Sequence, residues 1–253
     1  MRVLRIAVLL FLLILEGTSV RSQSVTQPIE WFGTTANLKA SSKVGFLVEG
    51  LYRFAGNLQP MQLQFRLGVD YVLSDKLNIM PLAYALTLNP IYGEQPALYV
   101  NNEHRIFQQF LYKHKSGRFN FQHRLRTEER FLQKHEIING EVVDDGFVNQ
   151  QFRIRYRLNF TVPFKGEKIV PRSWYVQAYD EVFVSFGSTV SPQQPDQNRV
   201  FAGVGYQSTS LLSFQGGPFY QVIIKSNGYQ RENNIGVMLT LQYNYDMTKK
   251  PKD

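Results

Sequence analysis

Residues 147–162, FVNQQFRIRYRLNFTV, alternate between two kinds of side chain along their whole length. A period of two residues predicts a β-strand, because successive side chains of a strand point to opposite faces. The polar phase consists of Asn149, Gln151, Arg153, Arg155, Arg157, Asn159 and Thr161. The other phase is almost continuously apolar. The fold must therefore place one face of this strand in a polar environment and the other face in an apolar one.

The same alternation recurs along the chain. The clearest segments are 44–54, 62–71, 119–131, 199–207 and 234–245, and less regular strands cover 29–38, 77–88, 102–114, 170–186 and 211–224. Short turns separate some of these segments, and longer polar loops are predicted at 89–101, 134–146, 187–197 and 225–233. The rhythm gives about eleven strands; because bacterial single-chain barrels use even numbers, ten or twelve are expected.

Alternation alone is compatible with two opposite folds. In a soluble barrel the apolar face points inward, whereas in an outer-membrane barrel it points outward to lipid. Strand length favours the membrane fold, since several segments are about 12 to 16 residues long and soluble strands are typically about 5 to 6. A tilted membrane-spanning strand needs about 9 to 11 residues.

The charged phase also favours a membrane barrel. Arginines follow one another at every second position with few lysines between them, and a guanidinium can bind carboxylates across a confined lumen. The predicted lumen charge network consists of Glu49, Arg66, Asp70, Glu103, Arg124, Arg126, Glu128, Arg130, Arg153, Arg155, Arg157, Glu181 and Arg199. Aromatic residues near strand ends, including Trp31, Tyr112 and Trp174, are typical of interfacial girdles. We therefore predict an all-β chain that forms a single closed antiparallel transmembrane β-barrel of about 10–12 strands.

The N-terminus predicts export. Arg2 and Arg5 precede an apolar run, Ile6–Leu15, which ends before small residues near Ser22. This pattern is typical of a cleaved signal peptide, here 1–23, followed by one barrel domain over 24–253. The run is too short for the alternative, a membrane anchor, because spanning needs about twenty residues. We expect the mature chain in the cell outer membrane, with outer-membrane lipid as its partner.

Charge and cysteine content narrow the function classes further. The net charge of +8 would suit nucleic acid, but an exported chain does not meet it, so no nucleic-acid partner is expected. The absence of cysteine excludes disulfides, thiolate metal sites and cysteine nucleophiles. The oligomeric state stays open.

Four stretches resemble motifs of a known family: NNEHRIFQQF (101–110), HRLRTEERF (123–131), YDEVFVSF (179–186) and QNRVFAGVGY (197–206). Together with the signal peptide, they resemble the domain-of-unknown-function 2490 family of Bacteroidota-type bacteria. The resemblance implies an outer-membrane barrel of unknown activity, and it supplies no catalytic residues.

Candidate catalytic groups are few. The four histidines lack metal-ligand spacing, so neither a metal nor another cofactor is predicted. His123, on the apolar phase, is a candidate general base for Ser173 or Ser213, although a neutral interfacial imidazole is the favoured interpretation. Asp180 also lies on an apolar phase, and a β-bulge that turns it inward is expected. Asp180 or Glu181 would then pair with arginines such as Arg199 or Arg157.

These patterns predict a non-enzymatic outer-membrane barrel with a structural or binding role, or with limited solute passage. Long arginine side chains occupy a narrow barrel, which favours a filled lumen over an open one. Three alternatives remain: an anion-preferring solute channel, a soluble lipocalin-like periplasmic lipid binder and a lipid-modifying barrel enzyme.

Overall fold

The computed structural model describes residues 23–93 and 96–249, so the predicted signal peptide lies outside the described residues except for Gln23. Eleven strands fill most of this range. They are β1 (Gln23–Lys39), β2 (Val44–Ala55), β3 (Gln59–Val72), β4 (Leu77–Leu88), β5 (Glu103–Ser116), β6 (Phe119–Ile138), β7 (Glu141–Pro163), β8 (Ser173–Gly187), β9 (Gln197–Gln207), β10 (Leu212–Ile224) and β11 (Gln230–Asp246). No helix within these residues is long and apolar enough to cross a membrane.

The strands close into a single barrel in which each strand pairs with its neighbours in sequence. This confirms the predicted all-β closed barrel and its approximate strand number, but the expected even number is wrong. β1 is a full strand, and it closes the barrel by pairing with β11 in parallel, from Gln23 opposite Gln230 to Lys39 opposite Asp246. All other neighbours are antiparallel. We call the β1–β11 pairing the seam.

The two ends of the barrel differ. One end, the turn end, carries the connections 40–43, 73–76, 117–118, 164–172 and 208–211. The opposite end, the loop end, carries the connections 56–58, 89–102, 188–196 and 225–229 and the β6–β7 hairpin. Because the strand number is odd, β1 begins at the loop end with Gln23 and β11 finishes at the turn end with Asp246.

The predicted loop 134–146 is wrong, because β6 and β7 continue through it as a hairpin. They are joined by Asn139 and Gly140, with φ angles of 54° and 85°. An Asn-Gly pair at positive φ forms a two-residue turn whose twist matches the strands beside it, so the ladder continues to the tip. Lys134 hydrogen-bonds the Asp145 carboxylate across the hairpin and lowers the pKa of that carboxyl.

The apolar phase of the strands faces outward and the polar phase faces inward. In β3, Leu63, Phe65 and Leu67 are 43–45% exposed, whereas Gln64 and Arg66 between them are 1% and 6% exposed. The outer-facing side chains of β7 and β11 are likewise apolar, and they include Phe152, Leu158, Ile235, Val237 and Leu239. This arrangement inverts the usual one, in which apolar side chains fill the interior.

Two apolar clusters share the interior with the charged side chains. One contains Ile29, Trp31, Ala55, Met61, Tyr179, Phe201, Phe219 and Met238, and the other contains Leu47, Met80, Ala83, Ala85 and Phe107. Trp31 was expected in an interfacial girdle, and that expectation is wrong: its indole is 2% exposed and packs on Phe219 with ring centroids 4.3 Å apart. Its position on the inward phase of β1 takes it away from the outer surface.

Candidate functional site

The registers of β6 to β9 align four charged residues in one row on the inner wall. Arg124 lies opposite Arg157, Arg157 opposite Glu181, and Glu181 opposite Arg199. Directly opposed residues have Cβ atoms about 4.5–5.5 Å apart, so the alternating polar phase of each strand brings these side chains together. The row therefore places one carboxylate among three guanidiniums.

Glu181 is the centre of this row. Its Oε1 accepts hydrogen bonds from Arg124 at 2.5 Å and from Arg155 at 2.7 Å, and its Oε2 lies 3.4 Å from Nη1 of Arg199. The carboxylate side chain is 1% exposed. Charge-assisted hydrogen bonds of this kind are about twice as strong as neutral ones, and they satisfy a group that would be costly to bury alone.

Glu128 forms a second centre nearer the loop end. It accepts hydrogen bonds from Arg153 and, at 2.6 Å, from Nη1 of Arg155, and its Oε1 lies 3.7 Å from Nη1 of Arg126. Arg155 thus binds both Glu128 and Glu181 and joins the two centres into one network.

Smaller pairs extend the network around the barrel. Arg66 donates to Glu49 at 2.6 Å, and Glu103 binds both Arg105 and Arg130, the latter at 2.7 Å. Nearer the rim of the loop end, Lys225 binds Glu232.

Aromatic rings separate the guanidiniums. Phe107 is completely buried, and the Arg126 guanidinium lies 4.2 Å from its ring centroid. The guanidinium of Arg155 lies 4.6 Å from the ring of Phe183. A cation over an aromatic face is attracted by about 0.5–2 kcal/mol, which helps to hold like charges near each other.

Two cavities lie on either side of the charged and aromatic layer. The smaller one, of about 240 Å³, is at the loop end and is lined by residues that include Tyr92, Glu103 and Arg130. The larger one, of about 1140 Å³, extends from the rim of the turn end down to Trp31 and Glu181, and we call it the turn-end cavity. Among the described residues, no side chain lines both cavities.

Most of the residues expected in the lumen network are joined by the ion pairs described above. Two of the thirteen differ within the described residues. Asp70 accepts a hydrogen bond from Nδ2 of Asn78 at 2.6 Å and has no arginine at ion-pair distance. Arg157 lies beside Glu181 in the row, yet its Nε has no hydrogen-bond partner, and its guanidinium is 5.1 Å from the Tyr179 ring.

The predicted lumen network omitted two interior arginines. Arg53 and Arg105 are 8% and 7% exposed, and both point inward. The signal was present: Arg53 lies four residues after Glu49, and Arg105 two residues after Glu103, on the same phase of their strands. Continuing the two-residue alternation from each glutamate would have added both arginines to the predicted network.

The expected bulge at Asp180 is wrong. The registers of β8 with β7 and β9 run without interruption through this residue, so Asp180 stays on the outward phase. There its Oδ1 accepts a hydrogen bond from Asn198 at 2.7 Å, which satisfies the carboxyl without an inward turn. Glu181, not Asp180, contacts Arg199.

The histidine–serine pairs considered for catalysis do not meet. His123 lies on the outer face, with Nδ1 at 2.7 Å from the Tyr156 hydroxyl. Ser213 is 2% exposed in the interior, and the Ser173 hydroxyl donates to the Val170 carbonyl at 2.5 Å. In the described part of the chain, no three histidine or acidic side chains converge as metal ligands would.

Comparison with known proteins gives one family and no individual relative. No curated protein and no solved structure matches the chain. The model of the family described as "Protein of unknown function (DUF2490)" matches residues 30–233, which run from β1 into β11 and include every member of the charge network. The chain therefore belongs to the DUF2490 family.

Proposed function

We propose that this protein is an integral outer-membrane β-barrel without enzymatic activity, with a filled interior and a structural or binding role. The observation that carries the proposal is the inverted distribution of its side chains. Apolar residues cover the outside of the wall, and buried arginines and glutamates occupy the inside.

Lipid is the surrounding that best fits such an outer surface. Soluble monomers rarely expose contiguous apolar patches larger than a few hundred Å². Here neighbouring strands each present apolar side chains outward, including Phe214 and Tyr220 of β10 and Val237 and Leu239 of β11. A closed barrel leaves no unpaired strand edge, which is the condition for a β-structure to cross hydrocarbon.

Outer aromatic residues at both ends support the same proposal. Tyr84, Phe186 and Tyr220 lie towards the loop end, and Tyr112 and Trp174 lie towards the turn end; each is at least 38% exposed. Aromatic residues are enriched where a barrel meets the two membrane interfaces.

Two pairs of polar residues on the outer face hydrogen-bond each other, which lowers the cost of placing these residues in lipid. Thr127 donates to Gln108 at 2.8 Å on this face, and Asn198 donates to Asp180 at 2.7 Å.

The layer that separates the two cavities supports a filled barrel over an open anion channel. The separation of His123 from both candidate serines speaks against a lipid-modifying enzyme at that site.

The proposal is tested by placing a charge on the outer face. Leu239→Arg is expected to destabilise the folded barrel in vesicles by about 2–4 kcal/mol, as Arg does near the middle of a bilayer. Ile137→Arg is the matched control, because Ile137 is also apolar and exposed but lies on the hairpin that projects from the loop end. Its effect should be within about 0.5 kcal/mol.

Denaturant unfolding of both variants in vesicles measures the difference. In cells, the wild-type chain should remain with membranes in alkaline carbonate and require detergent for release. Release of the mature chain by osmotic shock, together with equal stabilities of the two variants, would favour the soluble lipid-binding alternative.

A further inference from the structure

The turn-end cavity has a large surplus of positive charge. Seven arginines line its interior, against Glu49, Asp70 and Glu181, whereas three lysines and Asp75 are exposed at its rim. The interior surplus is therefore four charges, and it remains three when the adjacent Glu128 is counted with the lining. Buried charges are normally paired, because an unpaired ion pays a large desolvation cost. The protein alone does not neutralise this cavity.

Two arginines that contribute to this surplus, Arg53 and Arg157, lie on the floor of the cavity. Within the described residues, neither guanidinium is at ion-pair distance from a carboxylate, and the Nε of each is buried without a hydrogen-bond partner. Arg53 is 8% exposed, so this unpartnered group is more than nine-tenths buried. Both residues line the cavity, and among the described residues the Nη groups of both guanidiniums also have no hydrogen-bond partner.

Neighbouring groups hold these two arginines in place. Arg53 stacks on the indole of Trp31 with its guanidinium carbon 3.8 Å from the ring centroid, and Arg199 approaches the same indole at 4.4 Å. Arg157 lies over Tyr179. A planar guanidinium fixed against an aromatic ring is pre-organised for bidentate binding of phosphate or carboxylate.

The upper wall has different chemistry. Between the floor and the turn-end rim the cavity is lined by amides and hydroxyls, including Asn37, Asn159, Thr161, Gln177 and Gln242, and by apolar side chains such as Leu111 and Phe121. The amides and hydroxyls can hydrogen-bond a hydroxylated ligand, and the apolar side chains can pack against its carbon atoms. The volume of about 1140 Å³ is sufficient for a small organic molecule.

We propose that the turn-end cavity is a binding site for a hydroxylated organic anion whose phosphate or carboxylate group binds Arg53 and Arg157. The anion neutralises the surplus charge on the floor, and its polar body contacts the amide-rich wall. The site depends only on the interior of the barrel, so it does not require that the outer face meets lipid.

Trp31 provides a direct measure of binding. The chain has two tryptophans, and the other, Trp174, is 52% exposed on the outer face. A Trp174→Phe background therefore leaves one reporter, which lies against Arg53 at the floor. Glucose 6-phosphate, added to the folded full-length barrel in a zwitterionic detergent at low salt, should change its fluorescence saturably. Glucose, the uncharged counterpart, should give no saturable change, and inorganic phosphate should compete.

Two variants test the assigned arginines. Arg53→Gln and Arg157→Gln should each weaken glucose 6-phosphate binding at least tenfold, because each removes an unpaired donor. Arg130→Gln is the matched control: Arg130 lies in the interior but lines the loop-end cavity and binds Glu103, so affinity should stay within twofold. Folding of every variant is checked by its heat-modifiable mobility in gel electrophoresis, and Arg157→Gln keeps the test decisive if Arg53→Gln does not fold.

The source of the anion is distinguished by a second series in which phosphatidylglycerol replaces part of a zwitterionic lipid in nanodiscs. A response to this lipid that is abolished by Arg157→Gln supports the site and assigns the anion to a headgroup. The proposal is overturned if neither glucose 6-phosphate nor phosphate nor phosphatidylglycerol gives a saturable change. It is equally overturned if the Arg53 and Arg157 variants bind as tightly as the Arg130 control.

Discussion

Glu181 shows how single residues hold this interior together. Three arginines surround one carboxylate that is almost inaccessible to solvent. Replacing a buried ion pair by apolar groups is often neutral, but removing only one partner is costly because the remaining charge is left uncompensated. The wall in this region therefore depends on the glutamates more than on any individual arginine.

This dependence gives a prediction for Glu181→Gln. The change keeps the shape of the side chain and removes its charge, so the barrel should lose about 3–5 kcal/mol of unfolding free energy. Glu136→Gln is the matched control, since Glu136 pairs with Lys134 on the exposed hairpin, where such a pair contributes about 0–1 kcal/mol. Chemical unfolding of both variants under the same conditions measures the difference, and equal losses would contradict a central role for Glu181.

At the residue scale, the sequence predicts which face of a strand a side chain occupies better than it predicts which residue that side chain contacts. The arginines of β7 share one phase with each other, and that phase is the buried one. Which carboxylate each arginine meets depends on strand register and on side-chain reach across the barrel, and neither is encoded locally. Asp180 shows the limit: its place on an apolar phase suggested a bulge, whereas a hydrogen bond from Asn198 satisfies it where it stands.

At the scale of elements, two local features decide the architecture. The Asn139-Gly140 turn extends β6 and β7 beyond the other strands, and this turn was readable from the sequence as a hairpin signal. The pairing of β1 with β11 was not readable, because a strand shows the same alternation whether its neighbour runs parallel or antiparallel. The expected even number of strands came from the general rule for bacterial single-chain barrels, although the alternation itself gave about eleven strands.

The seam has a close backbone contact that can be tested. Gly236 of β11 lies opposite Ile29 of β1, and a Cβ added there would meet the Ile29 carbonyl oxygen. Because this atom belongs to the backbone, it cannot rotate away. Gly236→Ala should therefore destabilise the barrel by about 1–3 kcal/mol, the usual cost of overpacking.

The matched control for this change is Gly50→Ala in β2. A Cβ at Gly50 would come within 3.3 Å of one side-chain atom, the Thr34 hydroxyl oxygen, so it should cost less than about 1 kcal/mol. Thermal unfolding of the two variants, followed by circular dichroism, compares the two positions. A Gly236 variant as stable as the Gly50 variant would mean that β1 does not pack against β11 in this register.

At the scale of the whole molecule, the filled interior predicts a barrel that does not conduct. Completely or almost completely buried side chains, among them Phe107, Glu128 and Phe183, lie between the two cavities. Protein reconstituted in planar bilayers should therefore give no stepwise current at moderate voltage. Protease protection of the same preparation in vesicles controls for insertion, and reproducible steps with preference for anions would instead support the channel alternative.

The odd number of strands has a consequence for the polypeptide as a whole. Gln23 lies at one end of the barrel and Asp246 at the other, so the backbone crosses the length of the barrel an odd number of times. If the cylinder crosses a bilayer, the first residue of β1 and the last residue of β11 lie on opposite sides of it. Epitopes inserted directly after Gln23 and after Asp246 would then be reached from opposite faces of the envelope, and the first strand could take its place only after its own leading end had been carried across.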